Sequence, residues 1–204
     1  MTSGPEGSSP GGALPVDRLH SGALRIGVVS DTHGYLDPYI LELFEGVDLI
    51  IHAGDVGDKA ILESLGLVAR TVAVAGNLDG GDLRDLPSEA IGEIGGVRFV
   101  VGHKRKRLVK RLEAGKVPFA EGDETSDLVI FGHEHVPAAF WVERALWLNP
   151  GSASAPYEED DVPTVAIVEG GPTGLCVRFI PLTRRDSRRP SPSAKPGRER
   201  PRKP

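Results

Sequence analysis

Five stretches of the chain end an apolar run on side chains of types that ligate metal ions. They are Asp31-Thr32-His33, Gly54-Asp55, Gly76-Asn77, Gly102-His103 and Gly132-His133-Glu134-His135. Together they supply two carboxylates, one amide and four imidazoles. Imidazole nitrogen and carboxylate oxygen suit borderline transition metals such as manganese, iron, nickel or zinc. A serine-type triad uses one base and one nucleophile, so it leaves most of these groups without a role. Seven ligands are too many for one tetrahedral ion and suit two ions that share a bridging carboxylate. Taken singly, each has a plainer reading: Asp31-Thr32-His33 as a polar turn, Asp55 as a helix cap, Asn77 as a turn residue. Their concurrence at strand ends favours the metal reading. His20 and His52 are set aside, His52 as a buried, hydrogen-bonded histidine inside a strand, with a role supporting the ligands as the alternative.

Such residues meet only if the strands carrying them run side by side. Residues 24–29 (LRIGVV) read as a strand, and residues 37–46 as a helix with Asp37 at the N-cap and Pro38 at the first position. A second strand (47–55), a helix (58–66) and a third strand (71–77) follow. This β-α-β-α-β order predicts a parallel sheet with right-handed crossovers, whose carboxyl ends gather ligands. Beyond residue 90 strands dominate, interrupted by one helix at about 104–114. Two sheets packed face to face with helices outside accommodate both halves. His133 and His135 would point apart along a strand, so the chain must leave the strand at Gly132. The glycines at 54, 76, 102 and 132 are expected to let the backbone turn sharply and approach a ligand.

Composition bounds what this site serves. Of 204 residues, 39% are hydrophobic and one is cysteine, Cys176, which fits a reducing, cytoplasmic setting. No run is long and apolar enough to span a membrane, and residues 1–17 lack the charge and apolar region of a secretory signal. Residues 1–22 are rich in Gly, Ser and Pro and are expected to be disordered, as is the tail from 183 to 204. That leaves one domain over residues 23–182. The tail holds nine Lys/Arg against two Asp/Glu; with a net charge of -5 overall and -1 in the lead, the domain carries -11. The basic tail is read as a solubilising extension, with nucleic acid or an acidic surface as the alternative partner.

In this order, Asp-x-His, Gly-Asp, Gly-Asn, Gly-His and Gly-His-x-His resemble the calcineurin-like metallophosphoesterase superfamily. The short spacing and the LNPGS run (148–152) resemble its small YfcE-type phosphodiesterase branch. The resemblance covers residues 24–182 and implies a four-layer αββα sandwich of two mixed sheets flanked by helices. It implies that Asp31, His33 and His135 hold one metal, that Asn77, His103 and His133 hold a second, and that Asp55 bridges them. Asp55, Asn77 and His103 are the residues expected to take part in catalysis. The activity implied is hydrolysis of a small phosphoester, a diester ahead of a monoester. It would use two divalent ions, manganese first, about 3.5–4 Å apart and a hydroxide bridging them.

Some positions depart from the pattern. Leu78 stands where larger phosphatases carry a proton-donating histidine, as is common in the small branch. Lys104 follows His103 where the branch has glycine, and Gly102 precedes it where the branch has threonine. The run Lys104-Arg105-Lys106-Arg107 opens a helix, where cations oppose the macrodipole; this suggests that Lys104 and Arg105 face a phosphate, against a plainer reading as a solvated basic face. Two other functions suit the same fold: a protein–protein scaffold, as in a retromer subunit, and a nuclease tethered by the basic tail. A homo-oligomer is compatible with all of them.

Overall fold

Residues 26–29, 49–52, 99–102 and 146–149 are buried without alternation, so the central strands are covered on both faces. In the computed structural model, which describes residues 23–113, 127–154, 162–171 and 174–182, the first sheet begins with β1 (Leu24–Val29), β2 (Leu49–His52) and β3 (Thr71–Ala73). These three strands pair in parallel, joined through helices α1 (Pro38–Leu43) and α2 (Lys59–Val68). The second sheet contains β4 (Glu89–Ile94), β5 (Val97–Gly102), β6 (Asp127–Ile130), β7 (Ala138–Val142) and β8 (Ala145–Asn149), with α3 (Arg105–Glu113) between β5 and β6. The chain then returns to the first sheet with β9 (Thr164–Gly171) and β10 (Gly174–Pro181) as antiparallel neighbours. Strand orders are β10-β9-β1-β2-β3 and β4-β5-β6-β8-β7. The lead and the basic tail lie outside the described residues.

Leu24, Ile26 and Val28 of β1 and Leu49 and Ile51 of β2 meet Phe99 and Val101 of β5, Leu128 and Ile130 of β6 and Leu148 of β8 in one core between the sheets. The intervening residues Val29 and Ile50 face the other way, onto Ile40, Phe44, Ile61 and Leu65 from the α1 and α2 region. In the second sheet, Val100, Val129 and Trp147 pack on Leu108 of α3. Successive strand residues leave on opposite faces, so the central strands serve two cores and the molecule has four layers, αββα.

The helix starts follow local chemistry. The Asp37 carboxylate accepts the Tyr39 N–H at 3.0 Å, and Pro38 supplies a residue that needs no donor. Asp58 caps α2 through the Ala60 N–H at 2.9 Å, which leaves Asp55 to turn away at φ 52°. Helix α2 runs past the expected Gly66 to Val68, because Val68 and Ala69 pack against the outer core. Among the described residues no helix is long and apolar enough to cross a membrane.

Because β1, β2 and β3 are parallel, their carboxyl ends lie at one edge of the first sheet. Strands β5 and β6 are parallel in the second, and the Gly132 N–H donates to His103 O at 3.1 Å just beyond them. The sheets meet at this edge, where the His133 N–H donates to Asp31 Oδ2 at 3.1 Å.

Candidate metal centre

Asp31 follows β1 directly. Its Oδ2 accepts the Ser30 hydroxyl and the His133 N–H, while Oδ1 is fully buried and accepts no hydrogen bond. That orphaned oxygen lies 3.2 Å from His135 Nε2 and 3.9 Å from His33 Nε2, and the two imidazole nitrogens are 3.3 Å apart. An unsatisfied buried carboxylate oxygen is costly. A cation among the three atoms would satisfy it.

The second group has the same character. His103 Nδ1 lies 2.8 Å from Ala53 O. A carbonyl only accepts, so Nδ1 carries a proton and Nε2 is the atom left to offer a lone pair to an ion. That Nε2 points at two more acceptors, Asp55 Oδ2 at 3.3 Å and Asn77 Oδ1 at 3.2 Å. His133 completes the set: one ligand atom each from Asp55, His103 and His133 lies within 4.8 Å of the others, as is true of Asp31, His33 and His135. Acceptors facing acceptors is an arrangement that fits a divalent ion. The donor set of imidazole, carboxylate and one neutral amide suits the borderline metals.

Without an ion, a proton on His103 Nε2 takes the cation's place toward Asp55. Burial raises the Asp55 carboxyl, but hydrogen bonds from His103 and the Leu78 N–H outweigh it and hold the group at about 2. Burial opposes charge on His103, yet its bonds to Asp55 and Ala53 raise it above the usual imidazole value. Burial, then the charges of His103 and Lys104, lower His133.

Five of the six non-glycine residues with positive φ, among the described residues, belong to these groups: Asp31, His33, Asp55, His133 and His135, at 47–68°. Left-handed backbone costs an L-residue about 1–2 kcal/mol, and such strain gathers at functional sites. The turns expected at glycines are thus made mostly by the candidate ligands themselves. Gly76 and Gly132 serve instead by lacking a side chain. A Cβ on Gly132 would stand 2.0 Å from Ser30 Oγ and 2.8 Å from Asp31 Oδ2.

A layer of polar residues braces these turns. The Ser152 and Ser154 hydroxyls donate to Asp31 O at 3.0 and 3.1 Å, and Asn149 Nδ2 donates to Gly132 O at 3.2 Å. The LNPGS run therefore supports the first and last ligand loops. Arg105, expected to face a phosphate, pairs with Glu134 at 3.2 Å and lies 5.8 Å over the Phe131 ring. Glu134, which had no role on sequence grounds, ties the turn between the two histidines to α3.

His52 is the deepest of these braces. Thr32 Oγ1 donates to Val56 O at 2.9 Å, so it must accept from His52 Nε2–H, also at 2.9 Å. Nδ1 then accepts the Gly54 N–H at 3.3 Å. The neutral ring links the turn that holds Asp31 and His33 to the turn that holds Asp55. Burial lowers its pKa from 6.5 to about 4. The unfolded chain therefore binds the proton more readily, and the stabilisation present above pH 6.5 is lost as pH falls toward 4. Urea unfolding of the metal-free protein should show this part of the slope, about 3 kcal/mol across the window, in wild type and not in His52→Gln. Equal slopes would contradict a buried neutral His52.

Comparison with known proteins agrees with this geometry. Residues 24–170 match the family model of the calcineurin-like phosphoesterase superfamily domain. A "Probable metallophosphoesterase" of Methanocaldococcus jannaschii is 36% identical over 171 residues, covering 74% of this chain and 82% of that one. A phosphodiesterase of the same organism is 31% identical over 166 residues, covering 72% and 93%. Among solved structures, zinc-complexed Vps29 of Entamoeba histolytica superposes with a TM-score of 0.64 at 20% identity, over 80% of this chain and 95% of that one, a likeness of fold. A sandwich of two sheets, turns bearing the candidate ligands at one edge and a family match over residues 24–170 lead to one conclusion: the chain belongs to the calcineurin-like phosphoesterase superfamily.

Proposed function

We propose that the protein is a binuclear metal-dependent phosphodiesterase, in which Asp31, His33 and His135 hold one divalent ion, Asn77, His103 and His133 hold the other, and Asp55 touches both. The observation that carries this reading is the buried, unbonded Asp31 Oδ1, aimed between two imidazole nitrogens beside a second group built of acceptors alone. When bound, the two ions supply Lewis-acid polarisation of the phosphoryl group and acidify a water. The residues do the rest. Asp55, Asn77 and His103 set the charge and position of the second site, with Asn77 as a neutral ligand that limits negative charge near an anionic substrate. The hydrogen bond from His103 Nδ1 to Ala53 O fixes its tautomer. Manganese is the first metal to try, with iron, nickel and zinc compatible with the same donors. A reducing, cytoplasmic setting suits the single cysteine.

The experiment is hydrolysis of bis(4-nitrophenyl) phosphate by protein stripped and reloaded with each of the four metals, with metal content measured alongside. Turnover that follows metal content supports the enzyme. Protein that is inert with every metal but captures a partner tightly would favour the scaffold reading instead. A nuclease would cleave DNA or RNA and weaken when residues 183–204 are removed.

A further inference from the structure

Beside the second ligand group lies a cleft of about 220 Å³ whose lining includes Asn77, His103, Ser88, Glu89, Lys104 and Arg107. Its floor is small and apolar: Ala75, Gly76, Gly102 and Leu108. Glu89 is 8% exposed and faces two guanidinium groups, Arg107 Nε and Arg111 Nε, each at 3.0 Å. Arg107 also donates to Ser88 Oγ at 3.1 Å. One carboxylate is thus shared by two cations, and among the described residues Lys104 pairs with no carboxylate at all. The cleft wall therefore presents the Lys104 ammonium, beside the Arg107–Glu89 pair, within a domain whose net charge is -11. A positive focus in an acidic protein attracts an anion, and low-dielectric walls strengthen it.

We propose that this cleft receives one ester arm of the substrate and selects an arm that carries its own anionic group, such as a carboxylate. The assignment rests on the phosphodiesterase reading of the adjoining residues and names the substrate class for it. The volume is below the 300–1,000 Å³ or so of sites for drug-sized ligands, so the arm is short, a few carbons or one ring. Its apolar part lies on Leu108, Ala75 and the glycines, and its anion reaches Lys104 at the rim. Of the two cations singled out by sequence, Lys104 is the one that lines the cleft, while Arg105 is held by Glu134.

The test compares 4-nitrophenyl phosphodiesters whose second arm is propyl or 3-carboxypropyl, so leaving group and readout are identical. In parallel, propylphosphonate and 3-carboxypropylphosphonate, whose C–P bonds are not hydrolysed, are titrated into the metal-loaded protein by calorimetry. The carboxylated arm is expected to be preferred about 10-fold in kcat/KM and in Kd at low salt, the scale of one partly screened charge pair. In Lys104→Gln the preference should fall to near unity. In Lys110→Gln, on an exposed part of the same helix away from the cleft, it should persist. Equal treatment of the two arms, no phosphonate binding, or a preference that survives Lys104→Gln would each overturn the assignment. Selective phosphonate binding without hydrolysis of either ester would instead overturn the catalytic reading and leave the cleft's role standing.

Discussion

Replacing Asp55 by alanine is expected to lower kcat/KM on a phosphodiester by more than about 100-fold, since even residues that only support metal ligands are worth 10–100-fold. The side chain is 2% exposed, and both oxygens are engaged. Oδ1 accepts the Leu78 N–H at 2.8 Å, and Oδ2 lies 3.3 Å from His103 Nε2. Held at a pKa of about 2, the carboxylate is negative at any working pH. Its loss removes a fixed charge from among His103 and His133. Asp55→Asn keeps the shape and an oxygen for the Leu78 N–H but not the charge, so it separates charge from packing. Both variants should lose metal, measured by elemental analysis on protein whose circular dichroism matches wild type. Unchanged rate and full metal content in Asp55→Asn would refute the role assigned to the carboxylate.

Gly76→Ala is the substitution expected to harm folding most. A Cβ there would stand 2.1 Å from the Asp55 backbone nitrogen and 2.0 Å from its Oδ1. The nitrogen cannot rotate away as a side chain could, so the two loops must separate. Overpacking of this kind costs about 1–3 kcal/mol or more. At about 2–4 °C per kcal/mol for a chain of this size, Tm should fall by up to about 12 °C. Gly66→Ala is the contrast: no atom lies within 4 Å of its added Cβ and it sits in α2. Removing a helical glycine there should stabilise by about 0.5–1 kcal/mol. If the two substitutions shift Tm equally, close approach is not what Gly76 provides.

The strand ends were legible because runs such as Asp127–Ile130, which leads into Phe131-Gly132-His133, put apolar residues before a polar stop. The alternation of Leu24, Ile26 and Val28 against Val29 on β1 then sorts residues into two cores. The turning was harder to read. Sequence suggested that the glycines at 54, 76, 102 and 132 let the backbone turn sharply and come close to a ligand; of these only Gly54 has positive φ, at 96°. Whether a glycine is needed for its φ or for its missing Cβ depends on how close a distant loop comes, and local sequence carries no such distance. The same holds for Arg105 and Glu134. They meet only because α3 lies over the turn after β6. His52 looked like an ordinary buried histidine, and it is buried; its partner Thr32 on the neighbouring loop is what gives it a task.

Each ligand group draws from both sheets. Asp31 and His33 follow β1 while His135 follows β6, and Asp55 follows β2 while His103 and His133 follow β5 and β6. Neither half of the chain can form a complete site alone. A complete centre requires the two sheets to be docked. Contacts absent from the folding transition state act on unfolding and leave the folding rate nearly untouched. A cation held at this edge would tie one sheet to the other and, where its contacts form after the transition state, would act as a latch that slows opening of the finished sandwich.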